Sequence, residues 1–163
     1  MGWNNDSHGL VFKSSELKLY APSHSYGMKV SQIWRQTGIM RIMTYSLPSV
    51  DYVEKQIGRR PYDIWVLCHS KFTSKAQAIK DKFPDIAVRT LDNIHSKVIL
   101  IEPKTLYIGS ENFGHSGWIE TCIGVRSAQA HDWFFDNVFR GAWAAATEVQ
   151  SASTSAIWSG TDF

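Results

Sequence analysis

Short apolar runs alternate with amphipathic segments in the first half of the chain, and apolar runs follow one another more closely in the second half. Apolar runs bounded by Pro, Gly or polar clusters predict strands. Apolar residues that recur every three to four positions predict helices. The predicted strands cover residues 17–20, 39–48, 63–70, 86–92 and 118–127, with a further hairpin inside 94–112. The predicted helices cover residues 28–36, 49–58, 73–84 and 129–149.

Local signals place the ends of two of these helices. Ser49 is a favourable N-cap and Gly58 a favourable stop for the helix between them. Thr73 or Ser74 is the predicted cap of the next helix. The long helix near the end of the chain has an apolar stripe that predicts packing against a sheet. This stripe consists of Trp133, Phe134, Val138 and Trp143.

The order of the elements favours an α/β fold with a central mixed β-sheet and helices on both faces. The near-continuous apolar run of residues 63–70 is typical of a strand buried on both faces, which agrees with such a layered sheet. Residues 1–14 are polar and contain Gly, so they predict a flexible N-terminal arm. Residues 15–150 form the predicted folded domain, and residues 151–163 a C-terminal tail.

Composition narrows the class of protein. The 163 residues are 44% hydrophobic and carry a formal charge of +2, as expected of a globular domain that tolerates an anionic partner. No apolar run is long enough to cross a membrane, and the N-terminus lacks the apolar core of a secretory signal. The two cysteines, Cys68 and Cys122, lie in apolar runs and predict buried thiols in a reducing, cytoplasmic compartment.

Polar residues stand at both ends of the hairpin in 94–112, where buried strands tolerate them least. His95 and Lys97 are two positions apart, as are Ser110 and Asn112, so each pair shares a strand face. A two-residue loop at Pro103 and Lys104 would place Lys97 opposite Ser110 and His95 opposite Asn112. The four side chains would then gather at one end of one face.

Such a cluster fits a phosphodiester substrate. Lysine supplies positive charge, and asparagine and serine supply donors for the phosphate oxygens. Histidine acts as a nucleophile or as a general acid–base near neutral pH. No carboxylate or Cys/His cluster with metal-ligand spacing accompanies these residues, so we expect no metal and no cofactor.

The pattern His95-x-Lys97, four residues, Glu102, six residues, Gly109-Ser110-x-Asn112 resembles the HKD motif of the phospholipase D superfamily. Glu102 stands where that family usually has an aspartate of structural role. The motif occurs once in this chain, as in the family's short nucleases. The resemblance therefore implies that residues 15–150 form a phospholipase D-like catalytic domain and that the chain is a homodimer with its active site at the two-fold interface.

The resemblance also implies a mechanism. His95 of one subunit would form a phosphohistidine, and His95 of the other would act as acid and then as base. Lys97 and Asn112 would hold the phosphate oxygens, with support from Ser110. Glu120 is the candidate for the family's acidic residue that bonds the catalytic histidine. The single motif, together with the lack of a membrane-binding segment and of a secretory signal, favours nucleic acid over lipid. We therefore predict a metal-independent nuclease that cleaves DNA with little sequence specificity.

The sequence alone leaves other functions possible. The chain could be a lipid or small phosphodiester hydrolase of the same superfamily, or a nucleic-acid-binding dimer with weak or lost catalysis. His69 ends an apolar run and could contact the phosphate, although a solvent-facing histidine explains it as well. His115 and Trp118 could stack on a base. A basic strip for a nucleic-acid backbone, or simply a solvated helix face, would consist of Lys71, Lys75, Lys80 and Lys82, with Arg59 and Arg60 as a similar pair.

Overall fold

In the described part of the chain, nine strands form a central mixed β-sheet. The structure, a computed structural model, describes residues 10–13, 16–21, 33, 35–57, 63–114 and 120–152. Across the sheet the strands follow the order β1-β2-β8-β7-β6-β3-β4-β5-β9. The strands are β1 (Leu10–Lys13), β2 (Leu17–Ala21), β3 (Met40–Thr44), β4 (Ile64–His69), β5 (Ala87–Leu91), β6 (Val98–Ile101), β7 (Thr105–Gly109), β8 (Cys122–Arg126) and β9 (Thr147–Glu148).

The directions of the strands make the sheet mixed, as the sequence predicts. The three strands β3, β4 and β5 are parallel to one another, whereas β6, β7, β8, β2 and β1 continue the sheet in antiparallel pairs. In β4, Val66 and Leu67 point to opposite faces, and both are almost fully buried. This explains why the run of residues 63–70 is apolar without alternation.

Helices cover both faces of the sheet, which confirms the predicted layer arrangement. On the first face, α1 (Val50–Ile57) and α2 (Thr73–Lys82) contribute Val53, Ala76 and Ile79 to a cluster with Ile42, Val66 and Ile99. On the second face lie α3 (Ala128–Phe134), a π-helical turn (Phe135–Phe139) and α4 (Arg140–Ala145). Their apolar side chains pack on the alternate residues of the same strands, among them Met43, Leu67 and Leu100.

The π-helical turn changes the face that the long helix presents to the sheet. A π turn holds more residues than an α turn, so the residues after it are rotated relative to a regular helix. Phe134, Val138 and Trp143 pack against the second face, as predicted. Trp133 does not, and 61% of its surface is exposed. The predicted stripe is therefore wrong at Trp133, which precedes the π-helical turn. Consecutive helical residues point about 100° apart, so with Phe134 packed on the sheet its neighbour Trp133 is directed to the solvent.

The register of the β6–β7 hairpin differs from the predicted one. Ile101 pairs with Thr105, and Val98 pairs with Ile108. The turn therefore contains three residues, Glu102 to Lys104, instead of two. This odd length moves every pair by one position, so that the backbone N–H of Gly109 donates to the carbonyl oxygen of Lys97 at 3.2 Å. The predicted pairs of Lys97 with Ser110 and of His95 with Asn112 are wrong.

Some element boundaries also differ from their predictions. The strand predicted for 39–48 ends at Thr44, well before the proline. The α2 helix has no side-chain N-cap, because it continues from a 3₁₀ turn at Ser70–Phe72 that His69 caps through its ring nitrogen. The predictions of Thr73 or Ser74 as the cap are therefore wrong.

The two predicted end segments are described only in part. Residues 10–13, inside the predicted arm, form β1 and pair with β2. At the start of the predicted tail, the backbone N–H of Ala152 donates to the Asp81 carboxylate at 2.9 Å. The helix predicted for 28–36 lies almost wholly outside the described residues.

Candidate active site

The topology of the sheet brings the candidate residues to one edge. Strands β3 and β4 are parallel and end at this edge. Strand β6 is antiparallel to β3 and begins there, β7 ends there, and β8 begins there. Residues that follow or precede these strand ends therefore meet although they are distant in sequence. They are Tyr45, His69, His95, Lys97, Ser110, Asn112 and Glu120.

His95 and Lys97 lie in the extended segment just before β6 and contact each other directly. The Lys97 ammonium donates to the carbonyl oxygen of His95 at 2.9 Å. It also lies 3.3 Å from Nδ1 and 3.4 Å from Nε2 of the His95 ring. These two long and nearly equal distances place the ammonium beside the ring and not in line with either nitrogen. The exposed imidazole and a fixed positive charge thus stand together at the sheet edge.

The ammonium of Lys97 is partly removed from water. Burial lowers the pKa of Lys97 below its ordinary value of 10.5, and the negative charge of Glu120 acts in the opposite direction. An ammonium that has lost part of its hydration gains more from a nearby anion than a fully hydrated one does. The position therefore favours a contact with an oxyanion such as phosphate.

Asn112 is oriented by β3 and the residues after it. Its Oδ1 accepts a hydrogen bond from the backbone N–H of Ser46 at 3.2 Å and lies 3.5 Å from the Thr44 hydroxyl. Thr44 also accepts from the N–H of Phe113 at 2.9 Å. Because Oδ1 is already used as an acceptor, the amide nitrogen of Asn112 is the group left to donate.

Lys97 and Asn112 line the same small cavity, of about 10 Å³, together with Glu111. Lys97 and Asn112 therefore lie close together although the hairpin register differs from the predicted one. The bonds from Thr44 and Ser46 to the segment after β7, and not cross-strand pairing, fix the position of Asn112. Thr44 and Ser46 were missed in the sequence, because neither belongs to the motif.

Ser110 and Glu120 are joined directly at the same edge. The Ser110 hydroxyl donates to Oε2 of Glu120 and accepts from the N–H of Thr121 at 3.1 Å. The backbones at Gly109 and Thr121 lie so close together that a Cβ at position 109 would be 2.5 Å from the carbonyl oxygen of Thr121. The glycine therefore permits the contact between the two segments. Among the contacts of the described residues, the Glu120 carboxylate bonds Ser110 and acts on Lys97, with no bond to His95. The predicted bond from Glu120 to the catalytic histidine therefore stays a prediction.

Tyr45 links His95 to His69 and was missed in the sequence. Its ring centroid lies 5.0 Å from that of His95 and 5.1 Å from that of His69. The Lys97 ammonium lies 5.9 Å from the same centroid, within reach of a cation–π contact. Tyr45 directly follows β3, as His69 ends β4, so the strand-end signal that marked His69 marks Tyr45 as well.

His69 has a defined tautomer in its neutral form. Its Nδ1 accepts a hydrogen bond from the backbone N–H of Lys71 at 3.0 Å. The ring proton of neutral His69 must therefore be on Nε2, which can donate to a ligand. His69 lies at the same edge as His95, and Tyr45 contacts both rings. The predicted contact of His69 with phosphate stays a prediction.

Three of the four lysines of the predicted basic strip have side-chain partners among the described residues. Lys75 donates to the carbonyl oxygen of Leu47, and Lys80 donates to those of Pro84 and Ile86. Lys82 forms an ion pair with Glu54 at 3.3 Å. These contacts favour the solvated helix face over a nucleic-acid strip. The other predicted contacts fall outside the described residues: Arg59, Arg60, His115 and Trp118.

The cysteines agree with the sequence prediction, since Cys68 and Cys122 are both buried and unbridged. In the part of the chain that the structure describes, no group of three or more His, Cys, Asp or Glu is arranged to hold a metal ion. Within those residues, too, no helix has both the length and the hydropathy that crossing a membrane requires.

A comparison of the sequence with protein families found no match, and neither did a comparison with curated protein sequences. Solved structures, however, match over most of the chain. Nuc, a phospholipase D family member from Salmonella typhimurium, superposes with a TM-score of 0.70 at 19% identity over 83% of this chain and 100% of Nuc. NucT from Helicobacter pylori gives 0.67 at 14% identity over 82% of this chain and 98% of NucT.

A phosphatidylserine synthase from Haemophilus influenzae also matches, with a TM-score of 0.65 at 8% identity over 85% of this chain and 41% of the synthase. These likenesses show that the chain has the fold of the phospholipase D superfamily, as the motif predicts. Among those structures, the short proteins Nuc and NucT match over their whole length or nearly so, and the synthase over less than half of its own.

Proposed function

We propose that this protein is a metal-independent phosphodiesterase, and that it is a nuclease that cleaves DNA with little sequence specificity. The contact between the exposed His95 ring and the partly desolvated Lys97 ammonium carries the proposal. It joins a nucleophile to a positive charge for the phosphate, on a fold shared with phospholipase D proteins.

The proposed reaction has two displacements. His95 attacks phosphorus, a phosphohistidine bond forms, and the bond to the leaving oxygen breaks. A second histidine, His95 of the partner subunit, gives its proton to that oxygen. The same histidine then takes a proton from water, which attacks phosphorus and releases His95. The reaction consumes one water molecule and needs no oxidant or reductant.

The neighbouring side chains are proposed to hold the phosphate. Lys97 and the amide nitrogen of Asn112 would donate to the non-bridging oxygens and stabilise the charge that develops there. Nε2 of His69 is a further donor at the same edge. Ser110 and Glu120, which bond each other, are proposed to keep Lys97 charged and in place.

Homodimer formation and a cytoplasmic location complete the proposal. One chain has a single copy of the motif, and the mechanism uses two histidines, so a two-fold axis through the site supplies both. The buried thiols of Cys68 and Cys122, which form no disulfide in the described part of the chain, support a reducing compartment.

Two other functions compete with this one. A lipid or small phosphodiester hydrolase is supported by the fold likeness to a phosphatidylserine synthase. A nucleic-acid-binding dimer with weak or lost catalysis would have the same fold. The contact of Lys97 with His95, and the cavity that Lys97 shares with Asn112, favour catalysis over binding alone.

A substrate panel in excess EDTA separates the three functions. Plasmid, single-stranded DNA, RNA and phosphatidylcholine micelles are incubated with purified wild-type protein and with His95→Ala. We expect cleavage of DNA by the wild type only. When the DNA carries a labelled phosphate, we expect label to remain on the wild-type protein through a bond that is stable to alkali and labile to acid. Cleavage of phosphatidylcholine alone would support the lipid hydrolase. Binding without any cleavage would support the third function, and restoration of lost activity by Mg²⁺ would contradict the mechanism.

A mixing experiment tests the shared site. Wild-type and His95→Ala chains are exchanged completely, at a wild-type fraction f. Because both copies of His95 are needed for one turnover, activity is expected to follow f squared under random pairing. A linear dependence would mean that each chain has a complete site, and His69 would then be the first candidate for the second histidine.

A further inference from the structure

A groove of about 520 Å³ lies beside His95, between the edge of the sheet and the helix layer of the second face. Its walls are apolar and include Leu91, Ile94, Val138 and Ala142. Lys97 lines the cavity on the first face. His95 thus lies between the groove and the residues proposed to hold phosphate.

The lining of the groove fits an uncharged group with polar edges. Among the described residues, none of the side chains that line it is a Lys, Arg, Asp or Glu, and His95 is the one titratable member. The amide of Asn93 and the hydroxyl of Ser96 also line it, near His95. A ligand that is apolar throughout would leave both polar groups unused and would displace water from the half-buried Ser96 hydroxyl, which costs free energy.

A phosphodiester carries two substituents, and one of them must lie next to the attacking histidine. We propose that the groove binds the nucleobase attached to the cleaved phosphate. A base has apolar faces for the walls and donors and acceptors for Asn93 and Ser96. The volume falls in the ordinary range for small-ligand pockets. Because a paired base cannot leave its stack without cost, the preferred substrate is single-stranded or locally unpaired nucleic acid.

Gly141 offers a way to fill the groove without disturbing the fold. It lies in α4 and lines the groove, and a Cβ at this position would meet nothing within 4 Å. A side chain there points into open space, and replacing a helical glycine raises helix propensity by up to about 1 kcal/mol. Gly141→Leu should therefore remain folded while occupying the space meant for the base. Ala144→Leu, exposed on the same helix and outside the groove lining, is the matched control.

The experiment compares two single-stranded oligonucleotides, one intact and one with a stable abasic site beside the cleaved phosphate. Wild type and Ala144→Leu are expected to cleave the intact strand at least about tenfold more efficiently in kcat/KM. In Gly141→Leu the preference should fall to about one, with cleavage of the abasic strand unchanged. Asn93→Ala should lower the preference in the same direction.

This inference rests on the proposed function, and the outcomes separate the two. If wild-type protein cleaves no nucleic acid, the proposed function fails. The inference is overturned if wild-type protein cleaves nucleic acid without any preference for the intact strand. It is also overturned if Gly141→Leu keeps the same preference as the wild type. It is also overturned if light scattering shows that Gly141→Leu loses the dimer, or if the variant loses only cleavage of phosphatidylcholine. In those cases the groove is a subunit interface or an alkyl-chain site.

Discussion

The β6–β7 hairpin carries polar side chains at both of its ends, and the two ends use them differently. At the turn, Glu102 accepts a bond from Arg41 at 2.7 Å, and the guanidinium lies 5.0 Å from the ring centroid of Trp65 and 4.5 Å from that of Phe135. At the other end, about 17 Å away along the strand, His95 is exposed and Lys97 is only half-buried. The turn end uses its charges within the fold, whereas the site end keeps donors and a cation available for a ligand. The first arrangement stabilises the chain, and the second prepares it for an anion.

The largest expected effect at the site end is that of His95→Ala. Removing the proposed nucleophile should lower DNA cleavage by on the order of 10⁴-fold or more. The side chain is exposed, so the free energy of unfolding should change by less than about 0.5 kcal/mol. Cleavage assays and urea denaturation measure the two quantities. Residual cleavage within tenfold of wild type would place the nucleophile elsewhere.

The donors at the site end should rank next. Lys97→Ala and Asn112→Ala are each expected to lower kcat by roughly 10²- to 10³-fold, because they meet the charge that develops on the phosphate oxygens. Lys104→Ala removes an exposed lysine at the turn end of the same hairpin and serves as the control. Equal losses in Lys97→Ala and Lys104→Ala would mean that only the overall positive charge matters.

Glu102→Ala tests the turn end, and its effect should appear in stability. The substitution leaves the buried Arg41 without its carboxylate, and Nε and Nη1 of Arg41 have no other hydrogen-bond partner among the described residues. We expect a loss of about 2–4 kcal/mol in the free energy of unfolding. Activity per folded molecule should stay at the wild-type level. A fall in that activity with unchanged stability would connect Glu102 to the site after all.

Tyr45 should have a smaller effect, through the position of His95. Tyr45→Leu removes the ring that packs between His95 and His69 and is expected to lower kcat about tenfold, with KM little changed. Tyr45→Phe keeps the ring and should restore most of the rate. If Phe is as damaging as Leu, the hydroxyl and not the ring contact is what the reaction needs.

The smallest expected effect is a change in pH dependence. Burial lowers the pKa of Lys97, so its ammonium, and the activity that needs it, is lost at a lower pH than for an exposed lysine. Glu120→Gln removes the charge that raises this pKa, and the alkaline limb of kcat/KM should move to lower pH. An upward movement would contradict the assignment.

The free energy of unfolding should change with pH in the direction opposite to that of the activity. The unfolded chain holds the Lys97 proton more strongly, so the free energy of unfolding should rise with pH between the lowered pKa and 10.5. Lys97→Met, which removes the titrating group, should flatten this rise.

The sequence predicts the layers of the fold and the end of the sheet where the candidate residues lie. It does not predict the hairpin register or the full set of side chains in contact there. Apolar runs identify seven of the nine strands in the described residues, and the motif gives His95, Lys97 and Asn112 as candidates, because both signals are local. Strand β1 lies in the predicted arm, and β9 lies in the predicted helix of residues 129–149, which ends at Ala145. The hairpin register depends on whether the turn has two or three residues, which the proline at 103 leaves open. Tyr45 was missed because its partners His69 and His95 come from other strands, so only the folded sheet shows the cluster.

Cys68 is buried in β4, so the rate of its reaction with an alkylating reagent depends on how often the folded chain opens. Burial raises the pKa of the Cys68 thiol to about 12. At pH 7 the thiolate, which is the form that reacts with alkylating reagents, is therefore a very minor species in the folded protein. Access to this sulfur requires the centre of the sheet to open. The rate at which Cys68 is alkylated therefore measures how often the molecule opens, independently of whether its site is active.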